Sequence, residues 1–104
     1  MADRNNRVIN DTSITIATTA TLVSEAVFNG QRKVLVLNNN SLAGEIISIG
    51  IRNEAVANQG IVLNQGDKMV LSMDSGYAPS NEQITAVASV ATATLAIHEE
   101  IDLN

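Results

Sequence analysis

The stretch RKVLVL at residues 32–37 contains an unbroken run of valine and leucine. The run is too short for a helix and rich in β-branched residues, so it predicts a strand that is buried on both faces. Residues 38–41 (NNNS) end this strand, because asparagine tolerates left-handed backbone conformations and bonds to its own backbone in turns. The rest of the chain repeats this alternation of apolar runs and turns.

Three further strands are expected directly after the first. Residues 45–51 (EIISIGI) place three isoleucines on one face, and Gly50 there marks a bulge or a close backbone approach. Residues 60–63 (GIVL) and 68–73 (KMVLSM) follow, separated by a glycine-containing turn.

The two ends of the chain supply the remaining strands. Residues 12–19 (TSITIATT) alternate with period two and predict a half-buried strand. Residues 21–28 (TLVSEAVF) fit either a helix face or a strand, and their shortness and β-branched content favour the strand. Residues 84–88 and 90–97 are two strands, or one long strand with a bulge near Ser89.

About seven to eight short strands therefore account for the chain, with turn signals roughly every ten residues and no convincing helix. We expect an all-β fold, an antiparallel β-sandwich or a jelly roll, and the sequence does not choose between them. Residues 1–10 are predicted to form an extended polar N-terminal arm and residues 11–104 a single β-sandwich domain. Residues 99–104 are expected to form an acidic tail.

Composition restricts both the core and the partners. The 104 residues are 45% hydrophobic but include one Phe, one Tyr and no Trp, so the core must be aliphatic. We expect burial against other chains to add to its stability. Six basic and eleven acidic residues give a net charge of −5, which argues against nucleic acid and anionic membranes as partners. The absence of cysteine excludes disulfides.

The sequence offers little for catalysis or metal binding. His98 is the only histidine, and without a G-x-S-x-G motif a histidine on the surface or at a strand edge is favoured over a catalytic triad. One histidine without cysteine excludes typical zinc sites, and Asp74-Ser75-Gly76 fits a turn better than a calcium site. We therefore predict no catalytic, cofactor-binding or metal-binding residues, no cofactor, and a protein that is not an enzyme.

Protein-binding residues are the remaining candidates. Tyr77 lies in the irregular segment 74–83, and tyrosine is enriched in interfaces because it combines rigid area with a hydroxyl group. The arm arginines can pair with carboxylates of a neighbour. The predicted interface combines the tyrosine, the arm arginines, one further arginine and two glutamates of the acidic tail. Its residues are Arg4, Arg7, Arg52, Tyr77, Glu99 and Glu100.

Three segments, RKVLVLNN at 32–39, ISIG at 47–50 and GIVLNQGD at 60–67, resemble a pattern in small virion proteins of tailed bacteriophages. The resemblance covers about residues 32–73 and points to head decoration (cement) proteins and other accessory virion modules. It implies a β-sandwich in the virion, made in the host cytoplasm, that binds the assembled capsid and stabilises it. It carries no catalytic residues.

The resemblance also suggests partners. The major capsid protein or another virion protein is the expected partner, and we expect a homo-oligomer, a trimer rather than a dimer. One alternative is a tail, baseplate or head-fibre accessory protein. Another, from a different class, is a carbohydrate-binding or adhesion β-sandwich.

Overall fold

Eight strands make up the regular structure in a computed structural model, which describes residues 7–72 and 79–103. In chain order they are β1 Arg7–Ile16, β2 Thr21–Ser24, β3 Gly30–Asn39, β4 Ile47–Ile51, β5 Ile61–Leu63, β6 Lys68–Ser72, β7 Ile84–Ala88 and β8 Ala93–Leu103. All pairings are antiparallel. The all-β prediction is confirmed.

Two four-stranded sheets face each other. The first has the order β1-β8-β3-β6 and the second the order β2-β7-β4-β5. This is the strand order of an eight-stranded jelly roll, which settles the choice that the sequence left open.

The core between the sheets is aliphatic. Its larger side chains come mainly from the inward-facing positions of β3, β4 and β8, and the fully buried ones include Leu35, Leu37, Ile49 and Leu95. Where the last strands face this core, small residues replace them: Ala86, Ala88 and Ala93. Alanine is a poor strand former, so its presence here reflects its position in the core and not its strand propensity.

The strand RKVLVL lies in the middle of the first sheet but is not buried on both faces. Leu35 and Leu37 point into the core, whereas Val34 and Val36 are half-buried on the outer face. The prediction of burial on both faces was therefore wrong, because no segment within residues 7–72 and 79–103 forms a layer over the outer face of this sheet.

The second sheet does have such a cover. The loop at residues 52–60 folds back over its outer face, where the amides of Ala55 and Asn58 donate to the hydroxyls of Thr85 and Ser48, each at 2.9 Å. The loop passes so close to Gly50 that a Cβ there would lie 2.5 Å from the carbonyl oxygen of Asn53. Of the two roles expected for Gly50, close backbone approach is the one observed.

Both ends of the chain differ from expectation. The first strand begins at Arg7, so residues 7–10 of the expected arm pair with β8, while residues 1–6 lie outside the described part. The last strand runs from Ala93 to Leu103, so the predicted acidic tail is instead the end of a central strand. The polar residues at the end of β8 form strand because the long strands β1 and β3 pair with them on both sides, and this pairing outweighs their low strand propensity.

Candidate protein-binding surface

A buried ion pair lies near one end of the sandwich. The Nε of Arg32, on β3, is 2.7 Å from Oε2 of Glu99, on β8, and both side chains are shielded from solvent. The hydroxyl of Ser24 donates to the same carboxylate oxygen at 2.7 Å and accepts from Nη2 of Arg32 at 2.9 Å. Asn10 adds a donor to the other oxygen at 3.3 Å. The pair thus joins strands of both sheets.

The remaining donors of Arg32 hold two loops. Its Nη2 donates to the carbonyl of Glu25 at 3.0 Å, and its Nη1 donates to the carbonyls of Ser80 and Glu82, the latter at 3.1 Å. Within the described ranges no buried side-chain polar atom lacks a partner. The guanidinium, with its fixed fork of five N–H donors, therefore fastens the β2–β3 loop and the chain before β7 to the sheets.

The β2–β3 loop carries a highly exposed aromatic side chain. Phe28 is 88% exposed, although one end of its loop is held by Arg32 and the amide of Val27 donates to the carbonyl of Asn81 at 2.8 Å. Its ring therefore contributes almost no buried area to the isolated chain and keeps that area for another surface. Phe28 is thus a candidate anchor for binding another surface.

Beside this loop a groove runs along the side of the sandwich, between the edge strands β1 and β2. It consists of two depressions of about 510 and 460 Å³ that share Asn10, Ser24, Glu25 and Glu99. We call it the side groove; its exposed apolar lining residues are Val8, Ile9, Leu22, Phe28 and Leu103. The groove is open because β2 has four residues and cannot cover the ten-residue β1.

A line of charged side chains crosses the outer face of the first sheet. Arg7 bonds Asp102 through Nε and Nη2 at 2.6 and 3.0 Å and contacts Glu100 at 3.2 Å. His98 continues the line, with Nδ1 2.5 Å from Asp11 and Nε2 2.8 Å from Glu100. We call these five residues the charge ladder.

The charge ladder shifts the titration of its members. The hydrogen bond to Asp11, followed by that to Glu100, raises the pKa of His98, since both carboxylates favour the imidazolium. Arg7 lowers the pKa of Asp102 through their hydrogen bond, and the same bond raises the pKa of Arg7. Both ring nitrogens of His98 contact carboxylates, so neither is available to activate a hydroxyl.

The predicted interface residues are distributed as follows. Arg7 and Glu100 meet in the charge ladder. Arg52 is exposed and begins the loop over the second sheet, with φ at 71°. Glu99 is buried beside Arg32 on β8, where a tail was expected, and it lines both depressions of the side groove. Two residues lie outside the described part: Arg4 and Tyr77.

Several site residues were missed by the sequence analysis. Alternation with Leu35 and Leu37 would place Lys33, not Arg32, on the inner face. A register shift between Arg32 and Val34 inserts one extra residue and turns Arg32 inward. Nothing in the local sequence marked Asp11 or Asp102 as a site residue, because their contacts depend on the pairing of β1 with β8. These strands are far apart in the chain: Asp11 and His98 are separated by 87 positions.

The described part of the chain offers little for other kinds of site. It contains no group of three or more His, Asp or Glu side chains placed to hold a metal ion. None of its elements is a helix that is long and apolar enough to cross a membrane.

Comparison with known proteins identifies the fold alone. No family model and no curated protein matches this chain. A solved chain described by the words "Bacillus endospore appendages form a novel family of disulfide-linked pili" superposes with a TM-score of 0.54 at 16% identity, covering 95% of this chain and 90% of that chain. The likeness extends over the whole sandwich and supports the β-sandwich architecture.

Proposed function

We propose that this chain is a structural virion protein that binds the assembled capsid surface of a tailed bacteriophage and stabilises it, without catalysis. The observation that carries the proposal is Phe28, 88% exposed on an anchored loop beside the side groove. The resemblance of about residues 32–73 to decoration proteins supplies the class of partner, the major capsid protein or another virion protein.

In this proposal the capsid is stabilised by many copies of the protein, each of which binds weakly. Burying an aromatic side chain together with neighbouring aliphatic ones gives a binding anchor, and the polar charge ladder leaves the outer sheet face hydrated. A ligand that binds only the assembled shell stabilises that state by mass action, and many copies multiply the effect. The resemblance to decoration proteins favours a trimer over a dimer, and the mass of the protein in solution distinguishes them.

The experiment adds purified protein to expanded capsids that lack it. We expect stoichiometric binding at symmetric positions and greater heat resistance of the shell. Phe28→Ser should abolish binding without changing the melting temperature of the free protein, because the side chain packs little in the chain itself. Leu42→Ser is the matched control. The Leu42 side chain is 92% exposed and lies beyond the other end of β3, so this variant should still bind the capsid. No binding to heads by the unaltered protein would refute the proposal.

A pilus-like subunit is the second candidate, because this chain shares its fold with a subunit of disulfide-linked pili. Phe28 and Leu42 lie at opposite ends of β3, an arrangement that suits head-to-tail stacking. Without cysteine such a fibre would be held by non-covalent contacts alone. Fibres of the purified protein in electron micrographs, lost in both Phe28→Ser and Leu42→Ser, would favour this candidate over capsid binding.

A tail protein and a carbohydrate-binding module would each give a different result. Presence in phage tails and absence from heads would favour a tail, baseplate or head-fibre protein. Saturable binding in a glycan screen would favour a carbohydrate-binding module, although Phe28 is the only Phe, Tyr or Trp side chain within residues 7–72 and 79–103.

A further inference from the structure

The two sheets have four edge strands, and the described residues protect three of them against pairing with another chain. Strand β5 has three residues, and β2 has four with a register shift against its neighbour β7. Strand β6 has five residues and begins with Lys68. Short length, irregularity and lysine are the devices by which proteins prevent edge-to-edge association.

Strand β1 has none of these devices. It pairs with β8 over all ten residues without a register shift, and its sequence RVINDTSITI contains no Pro, Gly or Lys. Within the described part of the chain β8 is its only strand partner, so the backbone groups on its other side point away from the sheet. Its first seven residues, 7–13, are all exposed.

We propose that two copies of this chain pair through β1, antiparallel and about a two-fold axis, and join their first sheets into one continuous eight-stranded sheet. The surface is the free edge of β1, and the partner is a second copy of the chain. The inference does not rest on capsid binding.

Charge complementarity fixes the register. Arg7, Ile9 and Asp11 lie on the same outer face of β1, because they alternate along the strand and pair with outward-facing residues of β8. Only one antiparallel register places Arg7 opposite Asp11 of the other copy, and it brings Ile9 opposite Ile9 at the axis. A shift by two residues on each strand would place Asp11 opposite Asp11, with repulsion between like charges.

Asp11 and Arg7 can both form this contact in addition to the bonds within their own chain. The carboxylate of Asp11 is 73% exposed, and among the described residues only its Oδ1 is engaged, by His98. Arg7 uses three of its five N–H donors within its own chain. Ile9, 56% exposed, would be buried against its symmetry mate, which removes apolar surface from water at the centre of the interface.

The first test measures mass against concentration by analytical ultracentrifugation. The unaltered protein should sediment as two copies. Ile9→Lys, which places two ammonium groups at the axis, should weaken self-association at least tenfold. Val70→Lys is the matched control, since Val70 is 52% exposed on the outer face of the opposite edge strand β6, and the dimer should persist. Circular dichroism must show that both variants are folded.

The second test fixes the register. The chain has no cysteine, so Ile9→Cys introduces one thiol per copy. Directly opposite residues in an antiparallel pair have Cα atoms about 4.5–5.5 Å apart, within the range of a disulfide. Mild oxidation should give a covalent dimer for Ile9→Cys and none for Val70→Cys.

A monomer, a dimer that survives Ile9→Lys, or failure of Ile9→Cys to cross-link would each overturn the proposal. Three copies in solution would overturn the two-fold pairing and support the trimer that the resemblance favours, with capsid binding still to be tested separately.

Discussion

The Nε of Arg32 and Oε2 of Glu99 lie 2.7 Å apart in the interior of the sandwich, on neighbouring central strands of the first sheet. The carboxylate also accepts from Ser24 on the second sheet, and the guanidinium reaches the loop that carries Phe28. One ion pair therefore ties the sheets to each other and to the proposed binding loop.

Replacing Arg32 tests this connection. Arg32→Met should lower the free energy of unfolding by about 3–5 kcal/mol, because it leaves the charge of Glu99 buried without its partner. Arg7→Met is the matched control, since that arginine also pairs with carboxylates but on the surface, where water screens the charges, and it should cost far less than Arg32→Met. Urea denaturation of both variants gives the comparison.

The double variant Arg32→Met with Glu99→Leu separates charge from shape. It should recover most of the lost stability, since a buried ion pair is often replaceable by apolar residues of similar volume. Equal losses in Arg32→Met and Arg7→Met would contradict the assignment of Arg32 to the interior.

The two faces of β3 give a second prediction. Leu37→Ala removes a fully buried side chain from the core and should cost about 2–5 kcal/mol of unfolding free energy. Val36→Ala should cost less, because Val36 lies half-exposed between His98 and Val70 on the outer face. Thermal melts of the two variants check this, and a larger loss in Val36→Ala would mean that the faces of the strand are assigned the wrong way round.

Much of the fold follows from the sequence, because it depends on local alternation and turns. The isoleucines of residues 47–51 and the leucines of RKVLVL do face the core, at the spacing that a pleated strand requires. The run of residues 99–103, EEIDL, could not be recognised as strand by the same means. This run is held in the sheet by long-range pairing with β1 and β3, and its polar sequence gives no local indication of that pairing.

The site was less accessible to prediction than the fold. Arg32 looks like an ordinary charged residue at a strand start, and a single inserted residue decides that it faces inward. The charge ladder joins Asp11 to His98 across 87 positions, so its chemistry depends on a register that only the folded sheet defines.

Gly50 gives a third prediction. Gly50→Ala should loosen the loop at residues 52–60, because a methyl group there would lie within 2.7 Å of the amide nitrogen of Ala55. We expect a loss of about 1–3 kcal/mol, the usual cost of overpacking, and faster proteolytic cleavage inside that loop. Limited proteolysis followed by mass spectrometry locates the cut.

Gly66→Ala serves as the control for that experiment. A methyl group on Gly66 would have no atom within 4 Å, but the residue adopts a φ of 85°, so the substitution should cost stability through backbone strain alone. The loop at 52–60 should resist cleavage in this variant as in the unaltered protein. Equal cleavage of both variants would show that global unfolding, and not the contact at Gly50, exposes the loop.

The charge ladder predicts how stability depends on pH. The carboxylates of Asp11 and Glu100 raise the pKa of His98 above its ordinary value of 6.5, so its stabilising contribution is complete below that pH. The contribution is lost as the pH rises through the pKa of the folded state, because the imidazolium then loses its proton. Asp102 behaves in the opposite sense: Arg7 lowers its pKa below 3.8, so its contribution is present above that pH and is lost as the pH falls through the lowered value.

Melting temperatures measured from pH 3 to pH 9 should therefore pass through a maximum between the two transitions. His98→Gln should remove the decline on the alkaline side and leave the acid side unchanged, since Asp102 retains Arg7. The His98 effect should stay below about 1 kcal/mol, because the imidazole is partly exposed and water screens its ion pairs. An alkaline decline of the same size in His98→Gln would assign it to another group, and the ladder would then contribute no pH dependence through its histidine.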